Sequence, residues 1–329
     1  MPNNSKRLSD EFPELFHYTT VEAFKNIYKE QKLRATHYED LTDSSELRRF
    51  RLKVSEFIKP VIVEVFNENM WIDVQLSNKV NRHGGIDVVV AQEAEMHLDT
   101  LHQNTFGKSG LPETFICSFC THNAESYEAQ HGLLSQWRGY AAGGGVAIVL
   151  NTLGIEERMQ HEKDVFAHPL NHIGNIKYDD DDVGIRKNFC DVFEYFPGIL
   201  RALYENKTAD YVPIFNHFVY GSTLVKHHAF YEEKEVRIVV SMKPTSPDSI
   251  FNTPEIGLRL PKELKKIKYK ANGNSEMRYI ELFGDDKLPI TRVIVGPSRF
   301  QNLNYQTISE LVKETPDIKV EKSNTPFSA

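Results

Sequence analysis

The sequence predicts an α+β fold in which helices cover a mostly antiparallel sheet. Three observations indicate this class. Strand-like segments occur near both ends of the chain, long helical patterns fill the middle, and the two types do not alternate regularly as in parallel α/β folds. Three ionisable residues occupy alternating positions at the start of the most strand-like segment, residues 236–240: two precede it and the third lies within it.

The first predicted strand covers residues 15–18, and a helix follows it. Thr19 is suited to the N-cap of this helix, and Glu22 would complete a capping box. Apolar residues then recur at helical spacing up to Tyr28. His17 ends the strand, a position at which side chains often face a cleft. The structural alternative is a packing histidine whose ring bonds a nearby carbonyl.

Helical patterns fill two long segments of the middle of the chain. Apolar spacing predicts a long helix that ends near Met70 and is bent or broken at Pro60. No repeat or low-complexity linker divides the chain. We therefore expect a single domain, residues 1–329, with helical insertions at residues 44–112 and 180–226.

Three glycines, residues 143–145, join a short predicted helix to a strand. Phosphate-binding loops have the opposite order, because they follow a strand and open a helix. Helix termination and chain reversal explain these glycines better. Other strands are predicted at residues 115–119, 146–150, 278–283, 292–295 and 318–321.

Glu233, Glu235 and Arg237 form a Glu-x-Glu-x-Arg pattern at the start of the central strand. Alternate side chains of a strand share a face. The aliphatic residues at 236, 238 and 240 should therefore enter a core, while the three ionisable residues line the other, exposed face. This arrangement predicts an electrostatic site, and a half-exposed strand with an ordinary charge pair is the alternative.

Composition bounds the function. The net charge of −7 argues against non-specific binding of polyanions by the whole surface, although it permits a locally basic cleft. We expect a cytoplasmic protein, because we find neither an apolar run of membrane-spanning length nor a secretory signal. The densest basic cluster is expected to be a solvated helix-to-loop face, and it consists of Lys262, Lys265, Lys266, Lys268 and Lys270.

We expect no metal cofactor. Cys117 and Cys120 have the spacing of a zinc or redox motif, but strand geometry would point their thiols to opposite faces, and no second cysteine pair exists. The acidic run at residues 179–182 is typical of a solvated helix cap. His168 and His172 have a ligand-like separation, but the intervening proline weakens a helix there.

Short motifs then occur in a characteristic order between residues 15 and 327: His17-Tyr18-Thr19-Thr20, Asp43 to Glu46, Trp137-Arg138-Gly139-Tyr140, Glu233 to Arg237, and Val295-Gly296-Pro297. Because of these motifs and their order, the chain resembles a bacterial domain family of unknown function whose members begin with a His-Tyr-Thr motif. That family in turn resembles ADP-ribosyltransferases, which place a histidine on the first strand, an aromatic residue in the middle and a glutamate on a late strand.

The resemblance implies a split sheet and NAD as substrate. It also implies mono-ADP-ribosylation of a nucleic acid, with RNA favoured, because related anti-phage toxins of toxin–antitoxin–chaperone systems modify messenger RNA. An antitoxin protein is then an expected partner. On this basis the chain is expected to be a phage-defence toxin, and the lack of an apolar run of membrane-spanning length predicts that it does not engage a membrane.

The resemblance assigns catalytic roles to the acidic pattern. Glu235 would bond the reacting ribose and stabilise its developing oxocarbenium charge. Glu233 would orient or deprotonate the acceptor, and Arg237 would pair a phosphate or keep Glu235 ionised. Glu281, on a later predicted strand, is a rival for the catalytic position.

Besides Arg237, four residues are expected to bind NAD. His17 and Thr19 would bond its hydroxyl and amide groups, and Tyr18 or Tyr140 would stack on the nicotinamide ring. Two other functions stay open: a metal-dependent nuclease, and a non-catalytic defence or sensor module on the same fold. Release of nicotinamide from NAD separates the first hypothesis from both.

Overall fold

The structure is a computed structural model of the 329-residue chain. It describes residues 7–41, 46–70, 74–106, 113–140, 143–168, 170–205, 207, 212–242, 263–272, 275–284 and 287–326. The acidic motif from Asp43 to Glu46 and Lys262 of the basic cluster fall wholly or partly outside these residues.

Helices and strands are numbered separately along the chain. The helices are α1 (Leu8–Glu11), α2 (Val21–Glu30), α3 (Glu46–Met70), α4 (Val74–Arg82), α5 (Ile86–Phe106), α6 (Tyr127–His131), α7 (Leu134–Tyr140), α8 (Thr152–Val165), α9 (Asp182–Asn188), α10 (Cys190–Tyr204), α11 (Val212–Leu224) and α12 (Gln301–Leu311). Short 3₁₀ helices occur at Tyr38–Asp40 and His228–Glu233.

The strands are β1 (Glu14–Thr19), β2 (Lys32–His37), β3 (Thr114–Cys120), β4 (Val146–Asn151), β5 (Leu170–Asn175), β6 (Lys177–Tyr178), β7 (Val225–Lys226), β8 (Glu235–Ser241), β9 (Lys268–Asn272), β10 (Ser275–Phe283), β11 (Ile290–Val295) and β12 (Lys319–Lys322). Ten of them form one sheet, and β6 pairs with β7 separately. In the large sheet every pairing is antiparallel except that of β11 with β12. This is the α+β class that the sequence predicts.

The large sheet forks at β3. Strand β8 pairs with the whole of one edge of β3. The other edge of β3 is shared by two strands: β1 meets it at Cys120, and β2 meets it at Phe115 and Ile116. Beyond these contacts β1 continues into the branch β4–β11–β12, and β2 into the branch β10–β9. The backbone of residues 117–119 therefore borders a gap between the branches.

Each face of the sheet carries its own core. One face packs on α2, α8 and α12 and includes Val236, Ile238 and Val240, as the alternation predicts. The opposite face is covered in two places. Helices α3 to α5 and α9 to α11 pack near Val239, and α6 with α7 packs near Phe16. The fork opens between these two coverings.

Several local predictions need correction. Helix α3 continues through Pro60, so of the two alternatives, bent or broken, the break is wrong. Thr20 rather than Thr19 caps α2, because its hydroxyl accepts the Ala23 amide, and Glu22 binds Lys25 instead of closing a capping box. The basic cluster is not a helix-to-loop face, because Lys268 lies in β9.

The two segments expected to be helical insertions contain α3 to α5 and α9 to α11 in their described parts, and the second ends in β7. Within the residues that the structure describes, we find no helix that combines the length and the apolar character needed to cross a bilayer.

Candidate functional site

A cavity of about 230 Å³ occupies the fork in the sheet. Strands β1, β2, β3 and β8 contribute to its walls, together with α7 and β7. Its lining residues are Phe16, His17, Tyr18, Arg34, Thr36, Leu41, Ile116, Cys117, Ser118, Phe119, Cys120, Gln136, Tyr140, Lys226, Glu233, Glu235 and Arg237. The cavity thus unites most of the residues that the sequence singles out, although they come from distant parts of the chain.

Four charged side chains form a network on one wall of the cavity. The Nζ atom of Lys226 donates to Oε2 of Glu233 and to Oε2 of Glu235, each at 2.8 Å. Arg237 donates to both oxygens of Glu235, from Nε at 2.6 Å and from Nη2 at 3.2 Å. Its Nη1 donates to the carbonyl of Thr223 at 2.8 Å. Two carboxylates and two cations thus share one desolvated wall.

The two carboxyl groups experience opposite shifts. Burial is the largest influence on Glu235 and by itself raises its pKa, but Arg237 and Lys226 together lower that pKa to about 2. Burial also raises the pKa of Glu233. Lys226 does not reverse this effect, so the pKa of Glu233 stays above the ordinary 4.5. A pair of acids whose pKa values are driven apart is a recurrent feature of acid–base sites.

The prediction that this face of β8 is exposed is wrong. Glu235 and Arg237 are 5% and 3% exposed. Both faces of β8 are covered because α11 and β7 pass over the face that carries the charges, while α8 and α12 contribute to the core on the other. Of the two roles expected of Arg237, its contacts fit that of keeping Glu235 ionised. Since all three of its side-chain nitrogens already have acceptors, it is poorly placed to bind a phosphate.

Lys226 is a site residue that sequence reasoning missed. It lies in the two-residue strand β7 and is 6% exposed. Its ammonium also lies 4.6 Å from the centre of the Phe230 ring, and the neighbouring glutamates raise its pKa against the effect of burial. The available signal was a lysine that directly follows Leu224 and Val225, nine residues before Glu235.

His17 and Glu235 both line the cavity, but they leave the sheet on opposite faces. Phe16 pairs with Cys120, and Cys120 pairs with Glu235, so these three share a face. His17, the next residue, points the other way and lies beside Phe119. It reaches the cavity because the fork leaves the sheet open there.

The ring of His17 is held at the exposed edge of β3. Its Nδ1 lies 3.1 Å from the carbonyl oxygen of Ser118, which borders the gap. Burial lowers the pKa of His17, and the bond to Ser118 offsets part of that effect. A neutral ring that donates from Nδ1 leaves Nε2 as an acceptor.

Tyr18 is anchored in the protein. Its hydroxyl accepts the Leu133 amide at 2.8 Å and lies 3.1 Å from Nε2 of His122, and its ring packs edge-on against Trp137. Burial raises its pKa well above the ordinary value. Tyr140, at the end of α7, also lines the cavity and is 52% exposed, so it is the better placed of the two for stacking.

Thr19 and Glu281 do not line the cavity. Glu281 lies in β10 and binds Lys32 at 3.0 Å and Lys268 at 2.6 Å. Arg34 does line the cavity, from β2, and its guanidinium lies 4.8 Å from the centre of the Tyr279 ring. It adds a positive charge to the lining from a strand other than β7 and β8.

The two cysteines lie in a strand and diverge as predicted, because Cys117 belongs to the core on one face and Cys120 to that on the other. Burial raises the pKa of Cys117 to about 12 and that of Cys120 well above 9.0. Thiolates, the form that binds metals, are therefore disfavoured at both positions.

The glycines behave as predicted, whereas the acidic run does so only at Asp181, because Asp179 is largely enclosed and binds Arg49 and His228. Gly143 and Gly144 adopt positive φ between α7 and β4, and the backbone of Gly145 accepts the Gly296 amide at 2.8 Å. Asp181 caps α9 by accepting the Gly184 amide at 2.8 Å. Neither segment contributes to the cavity lining.

Residues 136–238 match the model of a family described as a protein of unknown function (DUF2971). The match covers less than a third of the chain. It begins in α7, ends in β8 and includes Tyr140, Lys226, Glu233 and Glu235, whereas the β1 wall of the cavity lies outside it. No curated protein and no solved structure matches the chain.

Proposed function

We propose that the protein transfers ADP-ribose from NAD to a nucleic-acid acceptor, with RNA favoured, as a phage-defence toxin. One observation carries the proposal. Glu233 and Glu235 share Lys226 on the wall of a cavity in a forked antiparallel sheet, and their pKa values are driven in opposite directions. Glu235 is ionised at neutral pH and Glu233 can exchange a proton, as a substitution at a sugar carbon requires.

Glu235 is suited to stabilise the reacting ribose. Cleavage of the bond between nicotinamide and C1′ leaves the electron pair on nicotinamide and gives the ribose oxocarbenium character. Three of the roughly four acceptor positions of the Glu235 carboxylate bind Arg237 and Lys226. The remaining one can accept a ribose hydroxyl, and the carboxylate is oriented before the substrate binds.

Glu233 is suited to receive the acceptor's proton. As the acceptor oxygen or nitrogen forms its bond to C1′, it loses a proton, which Glu233 takes and later passes to water. Glu233 is less enclosed than Glu235, with 14% of its side chain exposed against 4%, and it binds Lys226 through one oxygen. The other oxygen is the one available to the acceptor.

The remaining walls suit the rest of NAD. Tyr140 offers an exposed ring for nicotinamide, and Nε2 of His17 offers an acceptor for a hydroxyl or amide group. Arg34 takes the phosphate-binding role expected of Arg237, since a guanidinium binds phosphate oxygens in pairs. Beside Glu233, the exposed ring of Tyr231 is available for stacking on a base of the acceptor.

The test is incubation of the purified chain with labelled NAD and separate RNA, DNA and protein fractions. We expect nicotinamide release and label in the RNA fraction. Glu235→Gln should lower the rate by about 100-fold or more, because it removes a charge that acts in the transition state. The matched control is Glu281→Gln, a less buried glutamate that binds two lysines outside the cavity.

Equal loss of activity in the Glu281 and Glu235 variants, both folded, would refute the assignment. Absence of nicotinamide release together with metal-dependent cleavage of nucleic acid would favour the nuclease hypothesis. The cavity itself gives that hypothesis little support, since its two carboxylates bind Lys226 and Arg237. NAD binding without turnover would favour the sensor module.

A further inference from the structure

We propose that Asp179, His227 and His228 bind a zinc ion at a site separate from the cavity. The three residues come from the loop after β6 and from the segment after β7. One ligand atom from each lies within 4.8 Å of the others. Two imidazoles and one carboxylate form a donor set that suits zinc, with water as the fourth ligand. The inference does not depend on the proposed function.

The spacing of two of the three donors, Asp179 and His228, fits a zinc ion. Oδ1 of Asp179 and Nδ1 of His228 lie 3.1 Å apart. Two ligands bound to zinc at about 2.0–2.1 Å and at a tetrahedral angle lie about 3.4 Å apart. A metal ion can therefore replace the proton between these atoms after a movement of a few tenths of an ångström.

The carboxylate is held in place from both sides. Oδ2 of Asp179 accepts from Nη1 of Arg49 at 3.0 Å, and Oδ1 accepts the backbone amide of His228 at 2.9 Å. Hydrogen bonds to a ligating carboxylate fix its orientation and support metal binding. Because Arg49 occupies the second oxygen, Asp179 would bind zinc through Oδ1 alone.

The two imidazoles are close together but stacked, so one ring must turn before both can bind the same ion. The rings of His227 and His228 stack with their centres 4.3 Å apart. Nδ1 of His227 accepts the Ala229 amide at 3.1 Å, which caps the 3₁₀ helix His228–Glu233. Binding of zinc through this nitrogen would exchange that cap for a metal bond, and binding through Nε2 would require Nδ1 to gain a proton and lose the same bond.

The site is joined to the cavity by a few residues of backbone. The carbonyl of Lys226 accepts the Asp179 amide at 2.9 Å, and His227 follows Lys226 directly. The 3₁₀ helix that starts at the zinc site ends at Glu233. An ion bound to Asp179 and to the two histidines would hold the start of the segment that joins Lys226 to Glu233.

The experiment measures zinc binding by the untagged full-length chain in competition with a chromophoric chelator. We expect one zinc ion per chain, and a rise in melting temperature when zinc is added. His227→Ala and Asp179→Asn should each weaken binding at least about tenfold. Circular dichroism of each variant shows whether it is folded, and Asp179→Asn preserves the shape of the side chain.

The matched control is His217→Ala. His217 also binds an aspartate, with Nε2 at 2.5 Å from Oδ2 of Asp191, but that pair is not part of the three-residue group. Unchanged affinity in this control and loss in the other two folded variants would support the site. No saturable zinc binding by the wild-type chain, or an equal loss in the control, would overturn the proposal.

Discussion

At the residue scale, the function depends on how two glutamates share one lysine. Lys226 binds Glu233 and Glu235 at the same distance, but Arg237 binds Glu235 alone. That difference separates the pKa values of the two acids. Arg237 also lies on the same strand face as Glu235, two residues away, so the alternation of β8 produces the contact.

The first prediction concerns the dependence of transfer on pH. A base must be ionised, so the rate should fall as the pH is lowered through the pKa of Glu233, which burial places above 4.5. Glu233→Gln should remove this acidic limb and lower transfer by about 10²–10⁴-fold. Slow hydrolysis of NAD should persist in the variant, because Glu235 is intact. Both rates are measured as nicotinamide release, with and without acceptor.

If transfer and hydrolysis fall together in a folded Glu233→Gln protein, Glu233 does not act on the acceptor. Glu232→Gln is the matched control, because this neighbouring glutamate is exposed and does not line the cavity. It should retain both the rate and the pH profile of the wild type.

The second prediction concerns stability. Glu235→Gln leaves Lys226 and Arg237 without their shared buried charge, which should lower the free energy of unfolding by about 3 kcal/mol at pH 7. The pKa of Glu235 is depressed to about 2 in the folded protein. The stability that its ionised form contributes is therefore complete above about pH 4.5 and is lost as the pH falls towards 2. Urea unfolding at pH 7, 5 and 4 measures the difference.

The difference between wild type and Glu235→Gln should be the same at pH 7 and pH 5 and begin to shrink at pH 4. A difference that disappears already at pH 5 would contradict the depressed pKa. Glu281→Gln provides the comparison for a half-buried ion pair and should lower the free energy of unfolding by less than Glu235→Gln does.

Most of the site residues that the sequence predicts do line the cavity, but their burial was not predicted. The alternation of β8 predicts which side chains share a face, and that part is confirmed by the core around Val236, Ile238 and Val240. Whether the other face is exposed depends on how α11 and β7 pack against it. The residues around position 235 do not show this packing. Lys226 was missed for the same reason, since its partners become neighbours only when β7 is folded beside β8.

At the element scale, α7 positions Tyr140 at the cavity and is itself positioned by Gly132. Gly132 has φ +78° and lies against Trp137, whose ring a Cβ atom at this position would approach to 2.3 Å. The indole Nε1 donates to the carbonyl of His131 at 3.0 Å. The loop before α7 thus fits around a buried tryptophan and requires glycine.

The third prediction follows from this contact. Gly132→Ala should lower the free energy of unfolding by about 2 kcal/mol or more, through strain at positive φ and displacement of Trp137. Because α7 would move, NAD affinity should fall as well. Gly139→Ala is the matched control in α7 itself, where a Cβ atom meets nothing within 4 Å. It should be neutral or stabilise the helix by up to about 1 kcal/mol.

These outcomes are measured by thermal unfolding and by titration with NAD. A Gly132→Ala protein as stable as Gly139→Ala would show that the loop has room for a side chain. Loss of stability with unchanged NAD affinity would show that Tyr140 does not contribute to NAD binding.

Some elements could be predicted from sequence and others could not. Apolar strands such as β3, β4 and β11 are buried on both faces or alternate clearly, and their positions are confirmed within one or two residues. Strand β9, with lysines at 268 and 270, lacks an apolar face because it lies at the edge of the sheet. Helix α8 was also missed, since polar residues interrupt its buried positions.

At the scale of the whole molecule, the two faces of one sheet contribute side chains to two different hydrophobic cores. Ile116 and Val239 belong to the core under α3 to α5 and α9 to α11. Their neighbours Phe115 and Val240 belong to the core on the other face. Neither core can lose its strands without exposing the other, so we expect the two sides to unfold together despite the length of the helical segments.

The fourth prediction tests this coupling with a distant reporter. Phe196 is fully buried under the helical segments, and Phe196→Ala should destabilise that core by about 3–5 kcal/mol. Trp137 belongs to a different cluster, beside Phe16 on the other branch of the sheet. If the molecule unfolds as one unit, the loss should appear equally in Trp137 fluorescence and in far-ultraviolet circular dichroism.

The measurement uses a Trp71→Phe background, which leaves Trp137 as the single tryptophan of the chain. The two signals should give one coincident urea transition, shifted to lower urea by the same amount in Phe196→Ala. The opposite result is a circular-dichroism transition that shifts while the Trp137 transition does not. It would mean that the helical segments unfold independently of the strands beneath them, and that the fork and its cavity are held by the remaining core alone.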